Sequence, residues 1–147
     1  LGFVPSPEPF AGLAAEYAGD ERIKLINAAV GMESGTMQMH ITADACSTSD
    51  PATYEKWRPH VSYTDTLDVP CIAIDELLIE HGPFDMVSID TEGSSVDLLH
   101  RLLELGWRPR CIVVEHDGRT TEALAHATEC GYLCTMVNGE NLVLVKR

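Results

Sequence analysis

The chain has 147 residues, 45% of them hydrophobic, with 23 acidic against 10 basic side chains and a formal charge of −13. That length fits one domain with a core of its own, and the acidity argues against a nucleic-acid backbone as partner, since such binding rests on Lys and Arg neutralising phosphates. No apolar run approaches the ~18 residues of a membrane span, and five cysteines, an odd number set mostly in apolar surroundings, read as reduced, buried thiols of a cytoplasmic protein.

Leu1 to Val4 reads as the end of a strand. Ser6 is placed to cap a helix with Pro7 at its first position. Phe10, Leu13, Ala14 and Tyr17 then follow at helical spacing, and Gly19 ends the run. Ile23 to Val30 reads as a strand. Gly31 to Gly35 turns the chain into a second strand, Thr36 to Thr42, by the alternation of Met37, Met39 and Ile41. Residues 43–65 are polar and irregular, with Tyr54 and Trp57 as anchors. Val69 to Ile74 is a short strand, Asp75 caps a helix from Glu76 to His81, and Gly82-Pro83 closes it.

A strand over 84–90 follows. Ser94 or Ser95 caps a helix whose buried stripe is Val96, Leu99, Leu102 and Leu103, stopped by Gly106. Residues 111–115 form the next strand and 120–130 the next helix. Tyr132 to Val137 and Leu142 to Val145 close the chain as two strands joined by Asn138-Gly139-Glu140-Asn141, a hairpin signal. The pattern predicts an α/β fold with a mainly parallel sheet and an antiparallel C-terminal hairpin. An opening strand with a Gly-rich turn is absent, and nothing before Phe84 reads as G-x-G-x-x-G. The chain therefore reads as beginning inside a domain, amino-terminally truncated.

Two strands end in acids. Phe84-Asp85-Met86-Val87-Ser88-Ile89 runs into Asp90-Thr91-Glu92-Gly93, and Cys111-Ile112-Val113-Val114 runs into Glu115-His116-Asp117. Ligands of open α/β sheets bind beyond the carboxyl ends of the strands, so these acids mark a candidate site. Each residue also has a plainer reading. Asp90 is a turn former, and Glu92 is a first-turn acid favoured by the helix dipole. His116 is a structural hydrogen-bonder, and Asp117-Gly118 is an ordinary turn pair. His126, Cys130 and Cys134 are spaced by fours, but Gly131 and Tyr132 break the helix, so they read as core rather than as metal ligands.

The stretch from Phe84 to Ser94 resembles the central motif of FkbM-type methyltransferases. The stretch from Arg108 to Asp117 is similar to the strand that follows it in that family, and Gly131-Tyr132 with Asn138 to Leu142 to its end. Upstream, Pro5-Ser6-Pro7-Glu8-Pro9-Phe10 and Asn27-Ala28-Ala29-Val30-Gly31 resemble its second and third strand regions. The resemblance implies a Rossmann-like methyltransferase sheet, S-adenosylmethionine as cofactor, and transfer to a hydroxyl of a glycan, lipid or small metabolite. It assigns Asn27, Ala28 and Asp90 to the cofactor. Two positions depart from the family pattern: Val4 stands where an acid precedes the proline, and Ser95 where a second acid follows Glu-Gly.

Methyl transfer to an alcohol needs the hydroxyl proton removed by a base or a metal. Asp90, Glu92, Glu115 and His116 are the catalytic candidates. Asp90, Glu92 and Glu115 also form an oxygen-rich set suited to Mg²⁺ or Mn²⁺. The three carboxylates are expected to cluster at the carboxyl edge of adjacent parallel strands, with an incomplete cofactor pocket. The edge of the 84–90 strand is expected to be covered by a second copy in a homo-oligomer, by the 23–30 strand, or by an upstream segment. A non-catalytic binding or assembly module on a degenerate methyltransferase fold is the alternative, and metal-dependent hydrolysis a weaker one.

Overall fold

The structure, a computed structural model, describes residues 1–42 and 46–147. It divides into two units, Leu1–Ala73 and Ile74–Arg147. The described residues form a mixed α/β structure with five helices and three small sheets. Residues 43–45 of the stretch expected to be irregular lie outside the described residues.

In the first unit, β1 (Gly2–Phe3) and β2 (Leu25–Ile26) pair in parallel around α1 (Pro7–Glu16). Ser6 occupies the cap position with Pro7 behind it, but its hydroxyl makes no capping bond. The expected apolar stripe is only half-buried at Phe10 and Leu13 and exposed at Ala14 and Tyr17. The single strand expected over 23–30 is broken at Asn27-Ala28. Asn27 Nδ2 donates to the carbonyls of Val4 (2.7 Å) and Pro5 (3.1 Å), and the chain then starts β3 (Ala29–Gly31) in another sheet.

That second sheet has the order β3-β5-β4, with β4 at Gly35–Thr42 and β5 at Tyr63–Ala73. β3 runs parallel to β5 and β4 antiparallel to it. Ala29, Met39, Val69 and Cys71 form its buried cluster. Gly31 permits this packing, since a Cβ there would sit 2.8 Å from Cys71 Sγ. Two expectations need correction. β5 begins six residues before Val69, because Tyr63, Thr64, Thr66 and Leu67 suit a pleated ribbon despite the interleaved Asp65 and Asp68. The region expected to be irregular contains α2 (Pro51–Trp57), whose cap Asp50 accepts from the Thr53 amide at 2.6 Å.

The second unit opens with α3 (Ile74–His81). Asp75, expected as its cap, lies inside the first turn and pairs with Arg101 instead. β6 (Met86–Ile89), α4 (Ser95–Glu104), β7 (Cys111–Glu115), α5 (Thr120–Glu129), β8 (Tyr132–Val137) and β9 (Asn141–Lys146) follow, close to the expected bounds. Their sheet has the order β6-β7-β9-β8. β6 and β7 are parallel, and β9 is antiparallel to both β7 and β8, so only β9 is reversed.

Ile89, Ile112, Val114, Leu142, Leu144 and Tyr132 are buried, as are Val96, Leu98, Leu99, Leu102 and Leu103 of α4 and Ala123 and Ala127 of α5. The alternate residues of the sheet face the other way, and Met86, Val145, Leu133 and Met136 are exposed. β6 is the terminal strand of its sheet. The 23–30 segment supplies strands to other sheets instead: residues 25–26 pair with 2–3 and residues 29–31 with 71–73.

Candidate functional site

The register Ile89↔Val114 puts the residues that follow, Asp90 and Glu115, side by side where β6 and β7 end. Glu92 joins them, and one carboxylate oxygen from each of the three lies within 4.8 Å of the others. The local sequence explains the convergence. After Ile89 the chain makes a sharp turn rather than entering a helix: Glu92 has φ 50° and Gly93 φ 115°. The first is a left-handed conformation that costs a non-glycine residue roughly 1 kcal/mol. Glu92 is therefore not a first-turn acid of α4, which starts three residues later.

Side chains bolt this turn in place. The Thr91 amide donates to Ser95 Oγ at 3.0 Å, and the Thr91 and Ser94 hydroxyls lie 3.0 Å apart. Neither serine caps α4 in the expected way, since their hydroxyls serve the turn. The capping falls to Asp117 in the loop after β7. Its carboxylate accepts from the amides of Gly93 (2.9 Å) and Ser95 (3.0 Å). Two aligned N–H donors at a helix N-terminus are a favourable seat for a carboxylate. Asp117 itself sits at φ 48° with Gly118 behind it at 75°. This remote cap was not legible as such, because Asp-Gly in sequence announces only a turn.

The three clustered acids differ in environment. Asp90 is exposed, and Glu92 and Glu115 are half-buried. Glu115 Oε2 is buried without a hydrogen-bond partner. Burial pushes the Glu115 carboxyl up to about 8. The negative charges of Asp117, Glu92 and Asp90 add to this, as does a hydrogen bond to Asp117 that Glu115 can make only when it carries the proton. An unpartnered buried oxygen beside two further carboxylates is chemically a receptor for a proton, a donor hydrogen or a hard cation.

His116 is differently engaged. Its Nδ1 accepts from the Gly118 amide at 3.1 Å, and its Nε2 lies 3.4 Å from the Asn138 carbonyl. That geometry fits the neutral ring protonated at Nε2 and used to tie the loop to the hairpin. Asn138 holds the hairpin tip by accepting from the amides of Glu140 and Asn141.

Of the positions assigned to the cofactor, Asn27 has both side-chain bonds noted above on backbone carbonyls, and the Ala28 amide donates to Ile26 at 3.0 Å. The donors of Asn27 and Ala28 thus serve their own unit. The acid edge is a chemically apt setting for a sulfonium and an ammonium group, both cationic. His126, Cys130 and Cys134 do not converge. Cys130 Sγ is 4.0 Å from His126 Nε2, while Cys134 lies in β8 and bonds the Met136 carbonyl. Cys71, Cys111, Cys130 and Cys134 form no disulfide. Among the described residues no helix is long and apolar enough to cross a membrane.

Comparison with known families gives one result. The family model for the methyltransferase FkbM domain matches residues 1–134. No curated protein and no solved structure matches significantly. The chain belongs to the FkbM methyltransferase domain family, which implies a Rossmann-like methyltransferase fold and S-adenosylmethionine as methyl donor.

Proposed function

We propose that the chain serves an O-methyltransferase and that Glu115 takes the proton from an acceptor hydroxyl. The observation that supports this reading is the unpartnered, buried Glu115 Oε2, on a carboxyl held at about 8. General bases work best with a pKa near the operating pH, and an ordinary surface glutamate is too weak. When bound, S-adenosylmethionine supplies an electrophilic methyl group. The chain's own part is to desolvate the acceptor, orient its O–H toward Glu115 and receive the proton there. Asp90 and Glu92 stand beside the Glu115 carboxyl and suit neighbouring hydroxyls or cationic groups. The acceptor class is a hydroxyl compound, with glycan, lipid and small-metabolite alcohols meeting the same chemical requirement.

Mg²⁺ or Mn²⁺ at Asp90, Glu92 and Glu115 belongs to the same proposal. Three convergent carboxylates fit a hard cation, which would compete with the proton for Glu115 Oε2. A second reading, a non-catalytic binding module, is favoured by the internal commitment of Asn27 and the Ala28 amide. Calorimetry with S-adenosylmethionine, followed by labelled methyl transfer to a panel of hydroxyl compounds, separates the two. Binding and transfer that Glu115→Gln abolishes without loss of cofactor binding support the enzyme. Absence of cofactor binding at millimolar concentration supports the module. A Glu115→Gln variant as active as the parent removes the base from the mechanism.

A further inference from the structure

At the opposite end of the same strands lies a second concave surface. An open, shallow cavity of about 540 Å³ is lined by Asp85, Arg110, Cys111, Val145, Lys146 and Arg147, all exposed except the half-buried Cys111. It sits where β6 and β7 begin, about 13 Å from the carboxylate edge at the ~3.3 Å rise of a strand residue. Its frame is hydrogen-bonded throughout. The amides of Arg110 (2.8 Å) and Cys111 (3.2 Å) donate to the Asp85 carbonyl, Lys146 donates to Arg110 (3.0 Å), and Arg147 donates to Gly131 (3.0 Å).

The charges there are out of character for the chain. The sequence has ten Lys and Arg against 23 acids. Arg22, Arg58, Arg101 and Arg119 pair with carboxylates, Arg108 donates to carbonyls and Lys56 lies over the Trp57 ring. That leaves Lys24, Arg110, Lys146 and Arg147 with no side-chain partner among the described residues, and the last three line this one cavity. In a protein so rich in acids, pairing all three cations would be easy. Instead they are gathered around an apolar floor of Cys111 and Val145, with one acid, Asp85, at the side.

We infer that this cavity is a binding site for a small phosphate-bearing molecule with an apolar or aromatic body. The guanidinium forks of Arg110 and Arg147 and the ammonium of Lys146 match the oxygens of a phosphate dianion. The Cys111 and Val145 side chains take the apolar body. Asp85 faces a hydroxyl or amino substituent and opposes a purely polyanionic ligand. The overall charge of −13 repels anions at long range, and that repulsion is screened beyond about 8–10 Å at physiological salt. The local cations decide binding at contact distance. This site is independent of the methyltransferase reading, since it shares no residue with the carboxylate edge.

The test uses phenyl phosphate, with phenol, inorganic phosphate and phosphatidylserine vesicles as comparison probes, read by amide chemical shifts on the full chain. Phenyl phosphate is expected to shift Cys111, Val145, Lys146 and Arg147 saturably, with phenol and inorganic phosphate each weaker. Arg110→Gln and Lys146→Gln should each weaken phenyl phosphate about five- to ten-fold, the scale of one charge-assisted hydrogen bond. Asp85→Asn should tighten it. Thermal melts of the variants confirm that each remains folded. Shifts that map elsewhere, or Arg110→Gln binding as the parent does, overturn the inference. Inorganic phosphate or phenol binding as tightly as phenyl phosphate also overturns it. Vesicle binding that depends on Arg110, with no local response to phenyl phosphate, replaces the small ligand with a membrane headgroup.

Discussion

Replacing Glu115 by Gln should make the protein more stable at pH 8 and leave it nearly unchanged at pH 5. The Glu115 carboxyl is held at about 8 in the folded chain against an ordinary 4.5. At about 1.4 kcal/mol per pH unit, that difference sets an upper bound near 5 kcal/mol. Glu115 is only half-buried and shares its repulsion with Asp90, Glu92 and Asp117, so about 2–3 kcal/mol is the figure to expect after solvent screening. The sign follows from linkage. Below pH 4.5 both states are protonated and no penalty applies. Between pH 4.5 and 8 the unfolded chain gives up the proton while the folded chain keeps it, so the parent loses stability as pH rises, and above 8 the full penalty is present. Gln cannot ionise and is nearly isosteric with the protonated acid, so its curve lacks this slope. Urea denaturation of both proteins at half-unit intervals from pH 4.5 to 8.5 measures the difference directly. Parallel stability curves for parent and variant across that window would falsify the electrostatic account of Glu115 and, with it, the base proposed above.

With Glu115 as the proposed base, methyl transfer should rise with pH through about 8, and a pH–rate profile flat between 6 and 9 would contradict this. Mg²⁺ or Mn²⁺ should lower the pH at which Glu115 ionises and flatten the stability slope, read by repeating the denaturation series with millimolar metal; unchanged curves would exclude a cation at these acids. Asp117→Ala removes two amide contacts at the start of α4 and should cost about 1–2 kcal/mol in urea denaturation, the scale of a lost N-cap. Self-association through the open sheet face should appear as concentration-dependent mass in light scattering and diminish in Leu133→Lys, since Leu133 is 51% exposed and Met86 60%; a monomer at all concentrations would refute it.

The second unit was more legible than the first, for reasons that lie in particular residues. Cys111–Glu115 is a β-branched apolar run with sharp polar ends, and its bounds in the structure are those read from the sequence. Val96, Leu99, Leu102 and Leu103 are almost fully buried, as helical spacing required. In the first unit local pattern and tertiary use diverge. Ile23 to Val30 looks continuous, yet Asn27 turns aside to hold residues 4 and 5, a role set by contacts more than twenty residues distant. Asp50-Pro51-Ala52-Thr53 did carry a helix-start signal, Asp as cap and Pro in the first turn, but the polar composition around it masked the short helix that follows. The carboxylate cluster was legible because strand ends and their edge follow from the α/β pattern. Within it, Asp117-Gly118 reads as a turn pair and Glu115 as a site acid, but the contacts behind that division of labour, Asp117 on the Gly93 and Ser95 amides, were not legible.

That division is the physical core of the site. Glu115 and Asp117 are two residues apart; the sequence marks one as a strand-end acid and the other as part of a turn pair, but not where either carboxylate goes. The left-handed turns decide it. With Asp117 at φ 48°, its carboxylate reaches back to the Gly93 and Ser95 amides, which stabilise negative charge. Glu115, still in β7, points to the edge where Asp90 and Glu92 already stand, and no donor meets its Oε2. One acid is thus compensated and keeps the turn and α4 in place. The other is left uncompensated within the frame that the first one holds rigid. Relaxing Glu115 by a turn of its own backbone would break the Glu115↔Asn141 pairing with β9, and moving Glu92 would disturb the turn that presents α4. The unfavourable placement persists because the elements around the carboxyl are fixed by contacts that do not involve it. A carboxyl confined in this way can relieve its repulsion only by taking a proton, a donor or a cation, and the methyl acceptor proposed for this site offers the first two in a single hydroxyl group.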